Sequence, residues 1–93
     1  MSFRDQAEEN RMSMDFPDLG SGGEVWVDYA RQGDTVALLH VEADQALRGT
    51  GAAGRFMQAV ADYGRAEGLK FRPRCSYAVA WFQRHEGAQD LLA

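Results

Sequence analysis

The sequence has a single cysteine, Cys75, so no internal disulfide can form, and its two histidines, His40 and His85, lie too far apart to make a metal-ligand spacing. Neither a disulfide frame nor a metal site is expected. Long apolar runs are also missing: nothing approaches the roughly 18 uninterrupted apolar residues of a membrane span. The start, Met1-Ser2-Phe3-Arg4-Asp5-Gln6, lacks the apolar core of a secretion signal. A cytoplasmic location is the expectation. Basic excess is absent as well, since 14 acidic against 10 basic residues give a net charge of -4. Nucleic-acid binding normally needs a basic face, so that partner class is not expected.

What remains is enough for one hydrophobic core and too little for two, because 93 residues fall below the length that two cores require. Apolar residues at 45% and charged residues at 26% match a soluble globular chain rather than a disordered one. The charge is unevenly placed. Residues 1–46 carry ten acids and three bases, a net -7, and residues 47–93 carry four acids and seven bases, a net +3. One half suits a cation and the other an anion, although chance scatter of surface charge gives the same figures.

Residues 1–9 read as a polar leader and residues 10–93 as a single domain. Met12, Met14 and Phe16 alternate with Ser13 and Asp15, the period of a strand with one buried face. Gly20-Ser21-Gly22-Gly23 supplies a turn, after which Glu24 to Ala30 folds back as a second strand. A third follows the turn Arg31-Gln32-Gly33-Asp34. Thr35 to Val41 is apolar on both parities, as a central strand covered on both faces would be. From Gly51 the period lengthens: Ala53, Phe56, Met57, Val60 and Gly64 mark one face of an amphipathic helix that Gly68 terminates. Leu69 to Arg72 predicts a fourth strand, which Pro73 limits to an edge or short segment. Ser76 is placed to cap a helix from Tyr77 to His85, and Leu91 and Leu92 supply a last apolar contact. The predicted order is β-β-β-α-β-α, a mixed α+β fold in which an antiparallel meander leads into a β-α-β crossover with helices packed on the sheet. Trp26, Trp81 and Phe82 read as core.

The segment Leu47-Arg48-Gly49-Thr50-Gly51-Ala52-Ala53-Gly54 joins the third strand to the long helix. Its small residues let a ligand approach the backbone, and the first amides of the helix have no internal partners and sit at the positive end of its dipole. That combination favours a phosphate or pyrophosphate, with Arg48 and Arg55 adding charge. The same residues match G-x-G-x-x-G, but the next strand ends Arg72-Pro73-Arg74 without the acidic residue that a Rossmann domain needs for the ribose. Nor is there a Gly-Lys-Ser/Thr of a nucleoside triphosphatase loop.

This junction resembles that of the GNAT acetyltransferases, which carry Gln/Arg-x-x-Gly-x-Gly/Ala here; Arg48, Gly51 and Ala53 fill the specified positions. A branch of small GNAT-like proteins shows a pattern similar to His-Thr-Glu-Val-Pro-x-x-Leu-Arg-Gly-x-Gly, then Pro-x-Cys and Arg-His. The chain offers His40 to Gly51, Pro73-Arg74-Cys75 and Arg84-His85, with Val41 in place of the threonine and Ala43-Asp44 in place of Val-Pro. The resemblance runs from about Asn10 to Leu92. It implies a minimal acetyltransferase that binds acetyl-CoA (coenzyme A) over Arg48, Gly49, Thr50, Gly51, Ala52, Ala53 and Arg55 and transfers the acetyl group to an amine. A degenerate member that holds acyl-CoA without turnover is the alternative.

Such transfer needs a base for the amine proton, a donor toward the developing oxyanion and an acid for the departing thiolate. His40 and Glu42, two apart on a strand, project to one face if no bulge separates them, and either is a candidate base; both also suit ordinary strand-end packing and solvation. Cys75, just before a helix and beside Arg74, is a candidate nucleophile or acid, or a small buried side chain. Tyr77 resembles in placement the tyrosine with which many GNAT enzymes protonate the thiolate. The acidic first half is compatible with a cationic acceptor such as a polyamine or a lysine side chain. Oligomeric state is left open by the sequence, a monomer included.

Overall fold

A computed structural model describes residues 2–93, leaving Met1 outside the described residues. Five strands form one sheet in the order β1-β2-β3-β4-β5: Phe3–Gln6, Arg11–Asp15, Glu24–Gln32, Thr35–Ala43 and Lys70–Pro73. The first four pair antiparallel, and β5 lies parallel to β4. Between them runs α1, Ala52–Glu67, and after β5 comes α2, Ser76–Arg84. The predicted mixed α+β fold, meander first and crossover after it, is the fold observed. Short 3-10 turns at Ala7–Glu9, Gln45–Leu47 and Glu86–Leu91 complete the path. No helix is long and apolar enough to cross a membrane among the described residues.

Part of the segment read as a polar leader is structured, for Phe3–Gln6 is an edge strand that pairs with β2. Periodicity could not reveal it: the strand is four residues long with one apolar side chain. A polar anchor holds it instead. Asp5 accepts from the hydroxyls of Tyr29 at 2.6 Å and Tyr63 at 2.7 Å, so one carboxylate joins β1, β3 and α1.

Both helices pack on the same face of the sheet. Val25, Val27, Tyr29, Val36, Leu38 and Phe71 from the strands meet Phe56, Met57, Val60, Ala78, Trp81 and Phe82 from the helices in one buried cluster. Gly64 sits in the interior of α1 for a steric reason: a Cβ there would lie 2.3 Å from the buried Phe71 ring. The helix gives up propensity at that position and approaches β5 closely in return.

The expectation that β4 is covered on both faces is wrong, and the reason is a bulge. Tyr29 pairs with Leu38 and Asp28 with His40, which leaves Leu39 without a partner and 45% exposed. Before it the core side chains are Val36 and Leu38; after it Val41 and Ala43 turn inward. Apolar residues on both parities thus record a change of facing along one singly covered strand.

Two smaller expectations also change. Trp26 is not core, because it lies half-exposed on the helix-free face with the Arg11 guanidinium 5.3 Å from its ring. Ser76 does not cap α2; the N-cap is Cys75. Trp81 and Phe82 are buried as expected, Leu91 is buried, and Leu92 makes a single bridge to Phe71.

Candidate functional site

After β4 the chain makes the 3-10 turn Gln45–Leu47, sinks Leu47 into the core and rises through Arg48 to Gly51 before α1 begins. Asp44 fixes this exit. Its carboxylate accepts from the Glu24 amide at 2.8 Å and its own amide donates to Glu24 O at 2.9 Å, clamping the end of β4 to the start of β3. Asp44 stands where the resembled pattern has proline, and it substitutes a hydrogen-bonded anchor for a rigid ring.

Within the loop, Gly49 and Gly51 take left-handed backbone angles, φ +78° and +84°, which other residues adopt only with strain. A Cβ built on either meets nothing within 4 Å, so the space above the loop is open. Thr50 closes the turn from beneath: its hydroxyl donates to Leu47 O and accepts from the Ala52 amide at 3.2 Å. Among the described residues the amides of Gly49, Gly51, Ala53 and Gly54 meet no acceptor of the chain. Arg48 and Arg55 are exposed and have no carboxylate partner within 4.0 Å among those residues. Open space, free amides at a helix start and two unpaired guanidiniums fit a pyrophosphate.

Tyr77 comes to the same place from the other helix. Its hydroxyl lies 4.0 Å from the position of a Cβ on Gly54, in the first turn of α1. Burial raises its pKa above the ordinary phenol value, and Arg84 opposes that rise more weakly. Cys75 points elsewhere. Its sulfur accepts from the Ala78 amide at 3.4 Å and so satisfies one orphan donor at the start of α2.

The bulge decides where His40 and Glu42 face. It precedes both, so they share a face, with His40 Nε2 at 3.2 Å from Glu42 Oε2. That face is the helix-free one, beside Asp28 and Trp26, their cross-strand partners. β4 and β5 stay paired only as far as Leu38 and Pro73, with the Arg74 amide donating to Leu38 O at 2.8 Å. β4 then runs on alone. The structure therefore brings Arg48 to Ala53, Arg55 and Tyr77 to one end of the helical layer, while His40 and Glu42 lie across the sheet.

A cavity of about 490 Å³ lies away from the glycine loop. It is a groove on the helix-free face lined by Ala30, Arg31, Gln32, Thr35, Ala37, Arg72 and Arg74. Sequence reasoning did not single it out, although Arg72 and Arg74 flank Pro73 at strand spacing and that signal was available.

A family model described as GCN5-related N-acetyl-transferase matches residues 17–91. In three dimensions the chain is similar to the NMR solution structure of a GCN5-like protein from Staphylococcus aureus, with a TM-score of 0.69 over 99% of this chain and 87% of that one. At 19% identity the likeness is one of fold. No curated protein matches the sequence.

Proposed function

The chain belongs to the GCN5-related N-acetyltransferase family, and from that premise we propose that it transfers an acetyl group from acetyl-CoA directly to the nitrogen of an amine. The observation that carries this reading is the meeting of Tyr77 with the open loop: its hydroxyl stands beside Gly54, the last of the free amides at the start of α1. Charge binding and proton supply are thereby neighbours.

When bound, acetyl-CoA supplies a thioester whose acyl carbon exchanges its bond to sulfur for one to the acceptor nitrogen. The free amides of Gly49, Gly51, Ala53 and Gly54 would hold the pyrophosphate, and Arg48 and Arg55 would add charge at its rim. The pair His40 and Glu42 takes the proton that the nitrogen gives up. Tyr77, a phenol that is protonated at neutral pH, returns one to the sulfur. Cys75 serves as a helix cap, its sulfur accepting from the Ala78 amide, and direct transfer gives it no step.

A second reading, an acyl-CoA-binding module without turnover, has one observation in its favour: the proposed base pair lies on the face opposite the helices, whereas Tyr77 projects from a helix. Two measurements separate the readings. Acetyl-CoA should raise the melting temperature under both, because a ligand selective for the folded state stabilises it. Release of free CoA in the presence of a primary amine is expected only for the enzyme. Absence of any thermal shift would remove both.

A further inference from the structure

The groove on the helix-free face has a composition that the overall acidity of the chain does not predict. Five of its seven lining residues occupy one parity of the strands, Ala30 and Gln32 on β3, Thr35 and Ala37 on β4 and Arg72 on β5, and Arg74 follows just after β5 ends. Ala30 pairs with Ala37, and Ala37 is the register partner of Arg72, so two methyl groups form a flat floor beside a guanidinium. Gln32 and Thr35 add neutral polar groups at one end.

Arg72 and Arg74 are exposed and, among the described residues, have no carboxylate within 4.0 Å. Elsewhere on the surface Arg4, Arg11 and Arg65 each hold an acidic partner, at most 3.0 Å away. Arg31, the third arginine of the groove, is 3.7 Å from Asp34 and donates to Gly33 O. Unpaired guanidiniums beside such a floor are suited to an oxyanion, because their planar donor forks match carboxylate and phosphate.

The groove's position ties it to the transfer chemistry. Arg74 is the last residue before the Cys75 cap, at the point where β4 and β5 part, and His40 and Glu42 share the groove's face of the sheet. A molecule lying on Ala30 and Ala37 with its anionic end toward Arg72 and Arg74 approaches the candidate base from the side opposite the glycine loop.

We propose that this groove binds the anionic group of the acyl acceptor, so that the chain acetylates small amines that also carry a carboxylate or phosphate. The proposal rests on the acetyl-transfer reading above and reverses the expectation of a cationic acceptor.

The test compares size-matched amines as acceptors, reading free CoA: 4-aminobutanoate and phosphoethanolamine as anionic, 4-aminobutanamide as neutral and 1,4-diaminobutane as cationic. Expected is a kcat/KM at least about tenfold higher for an anionic amine than for the neutral or cationic ones, the contribution of one charge-assisted contact. In the double variant Arg72→Gln, Arg74→Gln that ratio should fall toward one, through KM, while acetyl-CoA still raises the melting temperature. The better of the two anionic amines identifies carboxylate or phosphate as the group bound. A cationic or neutral preference, or a ratio unmoved by the double variant, overturns the proposal. If acetyl-CoA binds and no amine is acetylated, the transfer reading fails on its own. The groove is then judged by ¹H-¹⁵N chemical shifts with phosphoethanolamine and 4-aminobutanoate: changes at Ala30, Ala37 and Arg72 that vanish in the double variant support an anion site, and their absence rejects it.

Discussion

The hydroxyl of Tyr63, on α1, donates to Asp5 Oδ2 at 2.7 Å across a separation of 58 residues. The other oxygen of Asp5 accepts from Tyr29, so the edge strand is held to the sheet and the helix by one carboxylate. Replacing Asp5 with Ala should cost about 1–3 kcal/mol in chemical denaturation, the usual figure when part-buried donors lose a charged acceptor. A cost near zero would mean that β1 is dispensable.

The same contacts give alkaline pH a definite effect. Tyr63 is pushed up to about 12, first by its hydrogen bond to Asp5 and then by burial, and Tyr29 is raised further, chiefly by burial. Tyrosines in the unfolded chain ionise near pH 10, about two units lower. Their contribution to stability is therefore complete below about pH 10 and is lost as pH rises through about 12. Urea titrations across that window should show stability falling, and the fall should be shallower in Tyr63→Phe. An unchanged slope would place the alkaline sensitivity elsewhere.

Gly64→Ala should destabilise the protein by about 1–3 kcal/mol, because the added methyl meets the buried Phe71 ring and must displace it. Helix propensity alone argues the opposite, a gain of about 1 kcal/mol. The sign of the change in urea midpoint decides between them.

Gly51→Val should remove acetyl-CoA binding, measured by calorimetry, while the far-ultraviolet spectrum stays native. A β-branched residue strains the left-handed φ of +84° but meets no packed neighbour. Arg48→Ala should weaken binding less, and its effect should shrink as salt is raised. Native affinity in the valine variant would locate the cofactor away from the loop.

Cys75 separates capping from chemistry. Cys75→Ser keeps an acceptor for the Ala78 amide and should retain stability and turnover, whereas Cys75→Ala should cost about 1 kcal/mol as a lost cap with turnover retained. Mass spectrometry after incubation with acetyl-CoA should find no acetyl adduct at Cys75. A dischargeable adduct, with a dead serine variant, would make the thiol the acyl acceptor.

Much of the fold is written in local signals. The alternation around Met12 and the 3.6-residue period from Ala53 to Gly64 each announce an element that the structure contains. What escaped has physical causes. β1 is stabilised by Asp5 with two tyrosines, 24 and 58 residues distant, and no window of sequence holds such a contact. The facing of β4 hinges on the unpaired Leu39, an apolar residue that looks like any other in the strand. The glycine loop was visible because left-handed backbone and close approach demand small residues. The arginine groove left only a partial signal, Arg72 and Arg74 at strand spacing, because its other lining residues come from two further strands.

The bulge at Leu39 makes β4 sensitive to counting rather than to chemistry. Leu39 pairs with nothing and is largely exposed, so side chains of many kinds fit there. Its removal is another matter. Deleting this one position would rotate everything beyond it by half a pleat, carrying His40 and Glu42 toward the helices and turning Val41 and Ala43 out to water. Natural variation at this site should accordingly be free in letter and fixed in number, with substitutions common and single-residue gaps absent.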